Sequence, residues 1–555
     1  MKIICYICLL FSAAILMHCQ TTPNMPATLV VTNANIWTGN PNQTTAQAMA
    51  IGDDTIMAVG SDREIESYIG DSTRVIDLHQ QFVTPGFIDS HVHFIIGGFR
   101  LSSVQLRDAT TPEEFISRIR EFAETVEPGT WITGGDWDHE NWGGELPHRN
   151  WIDSITREHP VWINRLDGHM ALANTAALEF AGVTNDVAEV EGGEIIRDEA
   201  GILTGVLKDN AMALVDQKMP EPTEQLTERA LEAAMRYVAE QGVTSVHHMS
   251  DYMDVLERFH EQGRLKTRVY AGMPISQWET LAAKVQEQGM GDKWLRIGVL
   301  KGFMDGSLGS HTAAFLQPYS DTPDESGLLV TEPKQMYEWA KKADSAGLNL
   351  MIHAIGDRAI RLLLDTYQQV IRENPERERR FRVEHVQHIA PEDIPRFAEM
   401  NIIASMQPYH AIDDGRWAEK VIGAERAKTT YAFRSLLDAG TRIAFGSDWF
   451  VAPPTPLEGI YAAVTRRTLD GQHPEGWIPE QKISVEEALR AYTINAAYTS
   501  FEENLKGTLE PGKLADFTVI NQDLFNIAPE DIREAQIMMT VVGGETVYQK
   551  ASSGE

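Results

Sequence analysis

Short runs in which apolar and polar positions alternate open the chain, at 28–32, 48–51, 55–60 and 74–78, with Asp53-Asp54 turning between two of them. The pattern returns at the far end, at 514–520 and 538–542, where Gly543-Gly544 turns into 545–548. Two β-rich pieces at opposite ends predict one small β-sandwich built from 27–84 plus 507–550. Between them the period lengthens. Thr111-Pro112-Glu113-Glu114 predicts a capping box with Pro at the first helical position, and Phe115, Ile119 and Phe122 then share one face. Leu226, Ala230, Ala234 and Tyr237/Val238 mark a second helix, stopped by Gly242 before a strand at 243–247. Ser484-Val485-Glu486-Glu487 opens a late helix by the same capping logic. Helices alternating with short apolar strands predict a parallel α/β fold across 85–500.

The stretch 129–219 fits this alternation poorly. It is rich in Gly, Trp and Asp (Gly134-Gly135-Asp136-Trp137-Asp138) and carries a hairpin at 192–207 turning at 198–201. It reads as an insertion over the mouth of the α/β domain. Its Arg165-Leu166-Asp167-Gly168-His169 is placed either to line a pocket or to serve as plain structural loop.

Charge and targeting narrow the class. Lys and Arg number 48 against 80 Asp and Glu, a formal −32 over 555 residues, and a surface that acidic repels nucleic acid. With 43% hydrophobic and 23% charged residues, the chain is suited to a large folded core. Residues 1–18 read as a signal peptide: Lys2 precedes an apolar run too short to span a bilayer comfortably. All three cysteines (Cys5, Cys8, Cys19) lie in or beside it, so cleavage before Cys19 leaves one thiol and no disulfide. That arrangement resembles a lipoprotein signal. The expectation is an exported protein anchored to the cell-envelope membrane through a lipid on Cys19, the alternative being a soluble periplasmic one. A homo-oligomer is compatible with this reading.

The chemistry centres on Pro85-Gly86-Phe87-Ile88-Asp89-Ser90-His91-Val92-His93-Phe94. On a strand, His91 and His93 leave the same face, a way to grip a transition metal. Read alone, the pair is equally two polar residues at a strand end. Further candidates follow. Lys301 ends an apolar strand (Leu295 to Lys301) in which Ile297, Val299 and Lys301 share a face, and a lysine facing a barrel interior must lose its charge, gain a partner or be modified. His353, His385 and Asp448 each follow a short apolar strand. Together these residues place His, His, Lys, His, His and Asp at the C-terminal ends of strands, the face where a TIM barrel gathers its catalytic groups.

These residues carry a resemblance to the amidohydrolase superfamily, in the branch that includes N-substituted formamide deformylase (amidohydrolase family 3). The carriers are 85–94, 301–313, 353–357, 384–387, Gly446-Ser447-Asp448 and the tail at 507–516, in the expected order. The resemblance implies a TIM (β/α)8 barrel holding one or two divalent metals, most often zinc. By carry-over, His91, His93 and Asp448 hold one ion, His353 and His385 the other, and a carboxylated Lys301 bridges them. It further implies that a metal-activated hydroxide attacks a linear amide, an N-formyl or N-acyl amine, with Asp448 as the catalytic proton carrier. His169, Asp305 and His311 are candidate substrate contacts, and His311 stands where an arginine is expected. His247, His248 and His388 read as structural.

The alternatives are a cyclic-amide hydrolase or deaminase of the same superfamily, or a non-catalytic surface-binding lipoprotein. Ala354-Ile355-Gly356 lacks the glutamate that mononuclear deaminases of the superfamily tend to carry three residues after the fifth-strand histidine.

Overall fold

The computed structural model describes residues 25–249 and 252–551. The signal segment and Cys19 lie outside the described residues. Among the described residues no helix is long and apolar enough to cross a membrane.

Eight parallel strands form a barrel in chain order: β1 (Phe87–Val92), β2 (Val243–His248), β3 (Arg268–Pro274), β4 (Leu295–Phe303), β5 (Asn349–Ala354), β6 (Arg382–His385), β7 (Ile403–Met406) and β8 (Ile443–Phe445). Nearly every residue of these strands is buried, as a sheet covered by helices requires. The helices supply the matching apolar stripes. In Asp357–Glu373, Ile360, Leu363, Leu364, Tyr367 and Val370 recur at helical spacing and are all buried. Ser484 and Glu487 form the reciprocal capping box the sequence predicts. At Thr111 only half of it exists: Thr111 caps Glu114 N, while the Glu114 carboxylate turns to Thr110. In β4, Gly298 has φ +110 and breaks the expected shared face. Ile297 packs into the large cluster beneath the helices, whereas Val299 joins the small cluster of Met249, Tyr270 and Met351.

Two further sheets use both chain ends. One runs through Thr55–Gly60, Ala48–Gly52, Leu29–Thr32 and Arg74–Asp77. The other combines Asn35–Trp37, Thr45–Ala46 and Phe82–Pro85 with Phe517–Ile520, Ile537–Val542 and Glu545–Gln549. Leu29, Val31, Met49, Val83, Phe517 and Val541 share the core between them. The strands at Asn35–Trp37 and Phe82–Pro85 escaped the sequence reading because each is too short to show a period. A third sheet outside the barrel, of six strands drawn from Val104–Gln105 to Leu203–Asp209, has its own cores and lies beside the barrel mouth. It starts earlier than residue 129. The helix Pro112–Ala123, which the alternation assigns to the α/β domain, packs Phe115 and Ile119 onto this sheet instead.

The barrel is tied to the end sheets by Arg268 on β3. Its Nε and Nη2 donate to the Asp516 carboxylate at 2.7 and 2.9 Å, both residues are buried, and Gly543 N adds a third bond at 2.7 Å. Removing one partner of such a pair strands the other charge. Asp516→Ala is therefore expected to cost about 3–5 kcal/mol, read as an earlier midpoint in urea unfolding. An unchanged midpoint rules out this tie.

Candidate active site

The site is made where the barrel closes. Beyond β8, Asp448 N donates to His91 O at 2.7 Å, and His93 N donates to Trp449 O at 2.7 Å. Underneath, the Asp89 carboxylate accepts from Ser447 N at 2.9 Å and from the Ser447 hydroxyl at 2.5 Å. The strands approach so closely that a Cβ on Gly446 would lie 2.5 Å from His91 N, so only glycine fits there. The result is that Asp448 Oδ1 faces the Nε2 atoms of His91 and His93, at 3.3 Å from each. Asp448 and His385 both have positive φ, +60° and +75°, which re-aims their side chains beyond the regular strand ends.

The other sequence candidates arrive at the same place. The His385 ring lies 4.8 Å from the His91 ring and 4.4 Å from the His353 ring, centroid to centroid. Lys301 Nζ is 3.2 Å from His91 Nε2. All six are buried except His93, which is partly open to the cavity.

Three of the four histidines are oriented by a group behind them. His91 Nδ1 donates to Glu384 Oε2 at 2.5 Å, His385 Nδ1 to Gln407 Oε1 at 3.0 Å, and His353 Nε2 to Gly306 O at 3.0 Å. In every case the remaining ring nitrogen keeps its lone pair, the form a metal ligand requires. Glu384 is itself held by Arg382 Nε at 2.6 Å, and Arg382 also reaches Ser90 O at 2.6 Å and His247 Nδ1 at 2.9 Å. Burial opposes charge on Glu384, but Arg382 and His91 outweigh it and hold the carboxyl well below its ordinary range.

The same balance sets the protonation of the site. Burial drives His93, His353 and His385 below the ordinary imidazole value, so they are neutral at pH 7. Burial would raise Asp448, yet His91 and His93 hold it well below the carboxylate range. Burial brings the Lys301 amine down to about 8. Asp448 Oδ1 is buried and has no hydrogen-bond donor among the described residues. An anionic oxygen 3.3 Å from the Nε2 atoms of His91 and His93, with no hydrogen bond among the described residues, is a donor set that suits a divalent cation.

Above this floor lies a cavity of about 1080 Å³, walled by barrel loops and by the third sheet. His93, Lys301, His353, His385 and Asp448 line it. His169 lines it too, with Nδ1 2.6 Å from Asp209 Oδ1, a contact that raises its pKa against the opposing effect of burial. Asp305 and His311 do not line it. The Asp305 carboxylate is buried and accepts from Ala314 N, Ile355 N and Gly356 N at 2.8–3.0 Å, fastening two loops. His311 Nε2 lies 3.1 Å from the Asp321 carboxylate. His248 Nδ1 accepts from Phe94 N and His388 Nδ1 meets Thr430 Oγ1.

The sequence reading gave Glu384 no role of its own and missed His410. Glu384 is recognisable as the residue alternating with Arg382 on β6, a buried charge pair within one strand. His410 lies three residues past the Met406–Gln407 strand end, inside the helix Pro408–Asp414, so strand-end logic passes over it.

A parallel α/β barrel with His, Asp and Lys side chains converging at its C-terminal mouth defines a metal-dependent hydrolase. Residues 74–548 match the model of the amidohydrolase family, and the chain belongs to that family. It is 40% identical over 537 residues to the protein LONG AFTER FAR-RED 3 of Arabidopsis thaliana, covering 94% of this chain and 92% of that one. It is 28% identical over 548 residues to an N-substituted formamide deformylase of Arthrobacter pascens, covering 95% and 99% respectively. Among solved structures, an uncharacterized metal-dependent hydrolase of Pyrococcus horikoshii superposes with a TM-score of 0.73 at 27% identity, over 90% of this chain and 99% of that one.

Glu384→Gln keeps the shape of the support but removes the charge that fixes His91. Metal affinity is expected to fall about 10–100-fold, read by titration of metal-stripped protein. Unaltered affinity would show that His91 needs no anionic partner.

Proposed function

We propose that the protein hydrolyses the C–N bond of a linear amide, an N-formyl or N-acyl amine, using divalent metal, in our reading zinc. The observation that carries this is the bare Asp448 Oδ1 set against His91 and His93 at the floor of a large cavity. The likeness to an N-substituted formamide deformylase supports the substrate class.

His91, His93 and Asp448 would hold one ion, and His353 and His385 a second. When bound, a divalent ion lowers the pKa of water towards about 7 and polarises a carbonyl. An amine at about 8 is partly neutral at pH 7–8, and a neutral amine reacts with carbon dioxide. Carboxylated, Lys301 would offer an anionic oxygen between the two histidine groups and satisfy its own buried position. Asp448 stays ionised and is the group able to take a proton from attacking water and return it to the leaving nitrogen. The balance is simple: the acyl carbon gains the water oxygen, the C–N bond breaks, and the amine leaves with the proton. His169, held by Asp209, presents its ring beside His353 at 5.0 Å between centroids and would contact the substrate.

The test uses protein from residue 20 onward, stripped with chelator, reloaded with zinc, and offered a panel of formamides, N-acyl amines and cyclic amides. At least one bound ion per chain and preferential turnover of a linear amide are expected. Asp448→Asn and Lys301→Ala should each reduce kcat by at least about 100-fold. Full activity of either variant refutes its role, and turnover by metal-free protein refutes the mechanism.

A further inference from the structure

His410 stands apart from the other buried histidines. His247, His248 and His388 each have a ring nitrogen in a hydrogen bond. His410 is only 8% exposed, its Nε2 is buried without a hydrogen-bond partner among the described residues, and its surroundings supply no hydrogen bond to either ring nitrogen. It also lines the cavity. Donor atoms of His410, His385 and Asp448 lie within 4.8 Å of one another. An atom seated among those three would be within hydrogen-bonding reach of each, roughly 2.8 Å.

A buried polar nitrogen left bare is costly, and it persists where something else completes it. The local chain explains how it is held there. Gln407 at the end of β7 fixes His385 through Nδ1, and Pro408 then starts the helix that turns His410 towards the same spot. One short segment thus aims two imidazoles at one point.

We propose that His410 is a catalytic residue whose ring N–H donates a hydrogen bond to the carbonyl oxygen of the scissile amide as negative charge builds on it. This rests on the amide-hydrolase reading. Asp448 already carries the proton bound for the leaving nitrogen, so the position open to a neutral imidazole is the oxygen. His410 keeps its proton throughout. A fixed donor aimed at such an oxygen acts on kcat more than on KM, because the interaction strengthens only as the carbonyl becomes tetrahedral.

The experiment compares zinc-loaded wild type, His410→Ala and His410→Gln by three measurements. Zinc per chain should be equal in all three. Methylphosphonate, a small tetrahedral anion, should bind the Ala variant at least about tenfold more weakly by calorimetry. With an N-alkylformamide as substrate, kcat of the Ala variant should fall about 100-fold with KM within about threefold, and Gln should restore part of the loss through its own N–H. Methylphosphonate affinity and kcat both within about threefold of wild type would overturn the proposal. So would a fall in bound zinc, which would make His410 a metal ligand instead of a donor to substrate. If wild-type protein hydrolyses no amide, the substrate reading fails, while the methylphosphonate measurement still decides the role of His410.

Discussion

Two backbone hydrogen bonds, from Asp448 N to His91 O and from His93 N to Trp449 O, join the last barrel strand to the first and set where the carboxylate stands. Without them Asp448 has no fixed relation to the histidines contributed some 350 residues earlier. The Asp89 carboxylate beneath reinforces the seam, and Gly446 allows it to close. The site is a consequence of barrel closure, which is why its donors come from the ends of strands spread around the whole ring.

A second constraint is burial. Six ionisable groups share a space that water barely reaches, and it treats them differently. It strips charge from His93, His353 and His385 and lowers the Lys301 amine to about 8, yet Asp448 and Glu384 remain ionised because cations and imidazoles face them. Neutral nitrogens beside a retained anion are what a metal ion meets on arrival. Arg382 keeps the charge in balance from below, spanning Glu384, Ser90 and His247.

The barrel was legible because its strands are short, apolar and bounded, and because chemistry-bearing residues recur at their ends. His91, His353, His385 and Asp448 stand where that logic places them. The logic fails where a residue acts from elsewhere. His410 sits inside a helix, and Glu384 looks like an ordinary strand residue until its partner His91 is seen across the fold. Asp305 and His311 show the opposite case, since neither lines the cavity. They lie in a stretch dense with polar residues, but the backbone turns Asp305 to serve loop amides and His311 to meet Asp321. A local pattern does not tell which way a loop side chain faces.

The strand Phe82–Pro85 has its neighbour in Phe517–Ile520, more than 400 residues later. During synthesis at about 5–20 residues per second, the early strand waits roughly 20–90 s for its partner. Until then it exposes an unpaired edge and an apolar face. Completion of that sheet is thus timed by the last stretch of the chain to be made, and a product truncated before Phe517 would carry all six site residues while lacking three of the sheet's six strands.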